Sequence, residues 1–373
     1  MRTLIFDTAL SGHHLEYIHH YYMEALASDG FFIFAIPEQF NSLKDKYDWP
    51  VSDRISFNFI PQNEVNNVRQ GNIYRQGVKN CLLLRRYVKN TKCDNVILTM
   101  LMQFIPFICF LLPSHVRVRG IMYKIYLYDQ HHMSKVRAFA ERIRFQILSK
   151  SKIISKVFVL NDQESAKVFN KKFHTDKFKF LPDPTPQPDF SVVRNIRRDL
   201  NLSKNDKLFI HFGGLDARKG SLDILKAIAS SKPGELDGCS FIFAGKQNDK
   251  FAIEFNKILT LAQKRATILV FNEYCDYEFL YNLCYSCDAI LMPYYITNLS
   301  SGLLGYSATF KRPVIGPKSG LIGKIIKDYH LGITIDIPFT DLSVLKSDLA
   351  ICGRYEDYCK ANKADIFRKS IFA

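Results

Sequence analysis

Several things are missing from this chain of 373 residues, and each absence narrows what it can be. No repeat or low-complexity tract is present, which excludes solenoids, collagen-like chains and compositionally disordered segments. No Asp-x-Asp pair is available to hold a divalent cation on neighbouring carboxylates. Of the nine cysteines (Cys81, Cys93, Cys109, Cys239, Cys275, Cys284, Cys287, Cys352, Cys359), only Cys284 and Cys287 form a C-x-x-C. No second pair or neighbouring histidine completes a zinc site, and the set reads as reduced core thiols of a cytosolic protein. Met1-Arg2 leads straight into an apolar strand rather than a signal peptide. No apolar run reaches the length of a membrane span. The longest, Val96 to Leu112, carries Pro106 in its middle; it reads as a strand, Val96 to Thr99, running into a buried apolar helix, with monotopic insertion of that helix as the alternative. Acidic residues are scarce in one region. Between Arg69 and Lys179 stand 22 Lys or Arg against 6 Asp or Glu, a net +16 in a chain whose total is +15. That segment suits an anionic lipid or phosphate surface, or simply a solubilising face; no nucleic-acid-binding motif accompanies it.

What is present is apolar and regular. Hydrophobic residues make up 47% and aromatics 13%, enough for well-filled cores, and the length suits two domains. Strand and helix alternate through the first half: Thr3 to Phe6, a helix from His14 to Ser28, Phe31 to Ile36 and Ile55 to Ile60. A long basic helix follows from Val68 to Asn90, then Val96, Arg117 to Tyr128 and Val157 to Leu160. This is the pattern of a doubly wound α/β domain. Four prolines between Phe180 and Pro188 predict a stiff connector, placing domains at 1–188 and 189–350, with 351–373 as terminal helices.

The most informative stretch is Lys207 to Gly220, KLFIHFGGLDARKG. A short apolar strand ends in Gly213-Gly214, whose backbone can approach a ligand closely. Arg218 and Lys219 add positive charge, and after Gly220 a helix begins at Ser221. Strand, glycine turn, cations and helix start together predict an anion site. Two further apolar strands run into glycine or polar loops: Phe241 to Ala244 before Gly245-Lys246, and Ile268 to Phe271 before Asn272, Glu273 and Tyr274. In an open parallel sheet such carboxyl-end loops are where ligands bind.

From Leu208 to Asp336 the chain resembles the donor domain of GT-B glycosyltransferases, nearest to the retaining family 4 enzymes. Their Gly-Arg-Leu, three residues, Lys-Gly pattern matches Gly213-Gly214-Leu215 through Lys219-Gly220. Lys219 takes the place of the family lysine on the donor diphosphate, while Gly214 stands where the family has arginine and Arg218 is the substitute. The family's two glutamates, with seven residues between them, fall on Asn298 and Tyr306. In their neighbourhood Ser300, Ser301 and Gly302 open a helix near Leu303 that can grip phosphate through hydroxyls and amides.

The resemblance implies two Rossmann-like domains facing across a cleft, with the last helices returning to the first domain. It implies transfer of a sugar from a nucleotide diphosphate donor, bound by Gly213, Gly214, Gly245, Lys246, Tyr274, Asn298, Ser300, Ser301 and Gly302. Lys219 and Arg218 would stabilise the leaving group, with retention and without a metal or resident cofactor. It also places the loop after the first strand, with His13, His14 and Glu16, at the mouth of the site; there a histidine can accept a proton or stabilise phosphate, or merely cap the helix. Asp129-Gln130-His131-His132 borders the same cleft or forms a surface turn. A lipid-linked glycan acceptor, in bacterial surface polysaccharide assembly, and a peripheral position on the inner face of the plasma membrane complete the expectation. A non-catalytic relative and a sugar-nucleotide epimerase are the alternatives.

Overall fold

The computed structural model describes residues 2–128, 134–349 and 352–373. It divides into two compact units, 1–182 with 364–373, and 183–363. The first holds seven parallel strands: β1 (Arg2–Phe6), β2 (Phe31–Ala35), β3 (Ile55–Phe57), β4 (Asn95–Leu98), β5 (Arg117–Met122), β6 (Ile154–Leu160) and β7 (Phe178–Leu181), in the order β3-β2-β1-β4-β5-β6-β7. The second holds six, also parallel: β8 (Lys207–Phe212), β9 (Cys239–Ala244), β10 (Thr267–Phe271), β11 (Ala289–Leu291), β12 (Val314–Pro317) and β13 (Gly332–Ile335), in the order β10-β9-β8-β11-β12-β13. Both are doubly wound, because parallel neighbours need crossovers and right-handed crossovers lay helices on both faces. The strands read as unbroken apolar runs for that reason: β9, CSFIFA, is buried along its whole length. In each sheet the strand order reverses beside the first strand, between β1 and β4 and between β8 and β11.

The structure moves several expected boundaries. The proline stretch packs within the second unit, where Thr185 N–H donates to the Asn362 carbonyl (3.0 Å) and Thr309 Oγ1 to that of Pro186 (3.2 Å). The long basic helix starts later, as Ile73–Thr91, because Gly71 takes a φ of 93° and Asn72 caps it on Arg75 N–H; a separate short helix, Gln62–Val68, precedes it. The apolar helix after β4 reduces to a 3-10 turn, Leu101–Gln103, and one turn of helix, Ile108–Leu111; Pro106 interrupts them. The sequence from Asp341 to Ile351 reads as helical; among its described residues, up to Leu349, the structure forms the 3-10 turn Ser343–Lys346. The terminal helices are also two. Tyr355–Ala361 stays with the second unit, whereas Ala364–Phe372 joins the first, burying Phe367 and Ile371 beside Tyr17 and Tyr21. Among the described residues no helix is long and apolar enough to cross a membrane.

Candidate functional site

In the second unit, the loop after β8 stands at the reversal of strand order, where an open parallel sheet receives its ligand. Asp216 organises it. Its Oδ1 accepts the Lys219 N–H (3.0 Å) and caps the 3-10 turn Ala217–Lys219. Its Oδ2 takes the Arg218 guanidinium at 2.5 Å (Nη2) and 3.2 Å (Nε). Arg218 is therefore turned onto a neighbouring carboxylate, exposed, with its charge locally offset. Lys219 is differently placed. Its ammonium rests where a Cβ on Gly213 would lie only 2.5 Å away, and 5.4 Å from the Tyr294 ring centroid. Among the described residues it makes no ion pair. The ammonium thus sits beside a glycine backbone (φ 94° at Gly213) and an aromatic face, with its charge not offset by a carboxylate.

The adjoining strand ends are fastened to this loop through backbone. Gly213 N–H donates to the Ala244 carbonyl (3.0 Å), Leu215 N–H to that of Lys246 (3.2 Å) and Gly245 N–H to that of Phe271 (2.8 Å). A Cβ on Gly245 would fall 1.7 Å from the Gly213 carbonyl oxygen, so no other residue lets the β8 and β9 loops meet. Gly220, at φ 72°, makes a comparable approach to the Pro293 carbonyl in the loop after β11. The structure thus brings Gly213, Gly214, Lys219, Gly245 and Lys246 to one edge, with Lys246 exposed and Tyr274 exposed after β10.

The loop after β11 departs from expectation in part. Ser300 Oγ donates to Asp183 Oδ2 at 2.6 Å, at the start of this unit. Asn298 is buried. Ser301 and Gly302 do precede the helix Leu303–Phe310, whose N-terminus lacks a side-chain cap. Tyr306 packs edge-on against Phe212 (centroids 5.2 Å apart) and beside Tyr281, so the second glutamate position has become part of an aromatic cluster.

Sequence reasoning passed over His211. It lies fully buried inside β8, with Nδ1 2.9 Å from the Leu291 carbonyl and Nε2 2.8 Å from Ser221 Oγ. Burial, with a smaller contribution from Lys219, lowers its pKa to about 4 against the opposing effect of the Leu291 carbonyl. The neutral ring donates from Nδ1 and accepts the Ser221 hydroxyl, tying β8 to β11 and to the helix that follows the loop. A lone polar residue in an otherwise apolar strand was the available signal.

In the first unit, the loop after β1 occupies the corresponding reversal. His14 Nδ1 lies 2.6 Å from Asp7 Oδ2. His13 contacts Glu16 at 3.4 Å from an exposed position, stacks on Tyr17, and does not cap the helix His14–Ala27 with its side chain. The motif at 129–132 lies outside the described residues. The thiols of Cys284 and Cys287 are both buried, which pushes the former well above its ordinary pKa and the latter to about 12. Among the described residues no group of three or more His, Cys, Asp or Glu could hold a metal ion.

No family model and no curated protein sequence matches the chain. Solved structures do. All 373 residues align with WaaG, a glycosyltransferase involved in lipopolysaccharide biosynthesis, over 91% of that chain at 15% identity and a TM-score of 0.62. They align with HepE of Anabaena, in complex with UDP and glucose, over 98% at 13% identity and 0.69. Sucrose-phosphate synthase of Thermosynechococcus elongatus aligns over 97% at 14% identity and 0.66. The fold is GT-B, with two doubly wound parallel-sheet units.

Proposed function

We propose that the protein is a glycosyltransferase that moves a sugar from a nucleoside diphosphate donor to a glycan acceptor. The observation that carries this reading is Lys219, a cation without a carboxylate partner, resting on the Gly213 backbone at the strand-order reversal of a GT-B donor unit. As the bond from the anomeric carbon to the diphosphate breaks, negative charge grows on the leaving oxygens. The Lys219 ammonium and the Gly214 amide offset it, and preorganised donors of this kind carry much of the catalysis in such transfers. Protein cations and amides suffice for this scheme, so no metal is assigned. HepE was solved with UDP and glucose, which makes a uridine diphosphate sugar the first donor to try.

The acceptor reading rests on the helix Lys135–Lys150. Val136, Phe139 and Ile143 lie along one side of it and are exposed, with Lys135, Arg137 and Arg142 exposed beside them. Phe145 and Leu148 of the same helix are buried. An exposed apolar stripe between cations fits an anionic lipid surface, and hence a lipid-linked glycan and a peripheral enzyme on the inner face of the membrane.

A second reading is a non-catalytic relative that binds nucleotide without transfer, favoured by Asn298 and Tyr306 at the two glutamate positions. A thermal-shift panel of nucleoside diphosphates and their sugars, followed by an assay for released nucleoside diphosphate, separates the two. At a hundred times its dissociation constant a true ligand adds about 2.7 kcal/mol of stability. Stabilisation with release supports transfer. Stabilisation without release from any donor supports the second reading, and no stabilisation at all removes both.

A further inference from the structure

The second unit holds a cleft that donor binding does not use. It measures about 540 Å³, within the range of small-molecule sites, and lies between the helix Ser221–Ala229 and the arm at 336–347 that follows β13. Phe339 and Leu342 of the arm share a core cluster with Leu222, Leu225 and Ile228 of the helix. Lys207 Nζ pins the arm's far end, donating to the Leu345, Lys346 and Ser347 carbonyls at 3.3, 3.3 and 3.0 Å. Both walls are therefore set by the fold. Asp223, Glu235 and Asp341 line the cleft against one cation, Lys226, which leans toward Glu254 at 3.6 Å. In a chain of net +15 this is a locally acidic place, so phosphates and nucleotides are repelled from it. The carboxylates do not form a metal site: among the described residues no group of three or more His, Cys, Asp or Glu could hold one. What they offer is acceptor capacity. Glu235 Oε2 takes the Lys232 N–H (2.8 Å) and Asp341 Oδ1 the Ser343 N–H (2.9 Å), which leaves each carboxylate with further lone pairs. Asp223 Oδ2 is buried and, among the described residues, accepts no hydrogen bond. A buried carboxylate oxygen without a donor costs stability until one is supplied.

We infer that this cleft is a second ligand site of the second unit, that it takes a neutral sugar, and that its occupancy bears on the donor loop. A sugar brings many hydroxyl donors and no charge, which is what Asp223, Glu235 and Asp341 accept without repulsion. Ala227, Phe339 and Leu342 supply an apolar wall for its C–H faces, and Ser230 and Thr340 add exposed hydroxyls. The connection to the donor loop is short. Asp223 stands in the first turn after Gly220. Burial and the facing Asp223 carboxylate push the Tyr295 hydroxyl up to about 12, and Tyr295 N–H donates to the Arg218 carbonyl at 2.9 Å. A sugar hydroxyl on Asp223 therefore competes with Tyr295, whose backbone holds the turn that carries Lys219. Sugar binding itself is independent of the glycosyl-transfer reading; its effect on the nucleotide rests on that reading.

Calorimetry on the full chain tests this with glucose, galactose, N-acetylglucosamine and maltose, and with glucose phosphate as an anionic counterpart. At least one neutral sugar should bind saturably, and glucose phosphate should bind about tenfold or more weakly than that sugar. Thr340→Trp and Ala227→Phe fill the cleft from opposite walls. Each should lose about tenfold or more in sugar affinity, with the thermal midpoint and the affinity for uridine diphosphate alone as in wild type. Lys219→Ala, in the donor loop, should keep the sugar affinity, which separates this cleft from the sugar end of the donor site. Saturating sugar should change the affinity for uridine diphosphate by about fivefold or more. No saturable binding of any of these sugars, binding that survives both cleft variants, or tighter binding of the phosphate removes the site. Equal uridine diphosphate affinity with and without sugar removes the connection to the donor loop. A protein that binds sugar but no nucleoside diphosphate keeps the site, and loses that connection together with the glycosyl-transfer reading.

Discussion

At the level of single residues, Lys219 and Arg218 show how little adjacency in sequence says about role. Both are cations of one short turn, yet Asp216 captures Arg218 and leaves Lys219 against Gly213. Lys219→Ala should lower transfer by roughly a hundredfold or more, the scale of losing one charge-stabilising donor, with the fold intact. Steady-state rates on folded protein decide it, and a variant within a few-fold of wild type would take Lys219 out of the mechanism. Neutral His211 adds a pH dependence. Its folded pKa of about 4 lies below the unfolded value of 6.5, so the unfolded chain binds more protons in between. Its contribution is complete above pH 6.5 and fades as the pH falls toward 4, by about 3 kcal/mol in all. Urea unfolding should therefore weaken over that window in wild type and less steeply in His211→Asn; parallel slopes would refute it.

Among elements, the helix Lys135–Lys150 carries the clearest consequence. Its exposed Val136, Phe139 and Ile143 contribute little to folding, so Phe139→Ser should change stability by no more than about 0.5 kcal/mol. Sedimentation with anionic vesicles at low salt should nevertheless fall, and wild-type binding should fade as salt rises. Equal sedimentation of variant and wild type would exclude this stripe from docking. The same helix marks the boundary of what was legible. The charge of its region was visible, but which of its apolar residues face inward depends on the neighbours they meet, and those are Phe145 and Leu148. Strand-ending glycines were readable because backbone geometry demands them: Gly213 and Gly245 touch through main chain alone. Short strands such as β7 and β11 were not, since four and three residues carry too little pattern. The Asp7–His14 contact spans a loop whose course no periodicity encodes, and the Ser300–Asp183 hydrogen bond joins residues 117 positions apart.

On the scale of the whole molecule, the first unit is completed by the last stretch of chain. Phe367 is fully buried, 4.9 Å from Tyr17 and 5.9 Å from Tyr21 between ring centroids, and Arg119 donates to the Ile371 and Phe372 carbonyls at 3.2 and 2.6 Å. Phe367→Ala should cost about 3–5 kcal/mol, read as a lowered unfolding midpoint by circular dichroism; a change below about 1 kcal/mol would mean that the helix Ala364–Phe372 is not part of that core. This arrangement also sets an order of events during synthesis. A ribosome delivers residues 1–182 first and must then make all of 183–363 before Phe367 emerges. At 5–20 residues per second that delay is on the order of ten to forty seconds. Through it the nascent first unit presents Tyr17, Tyr21 and Phe32 without the partner that covers them, and this is the interval in which a chaperone, or an aggregate, has its opening.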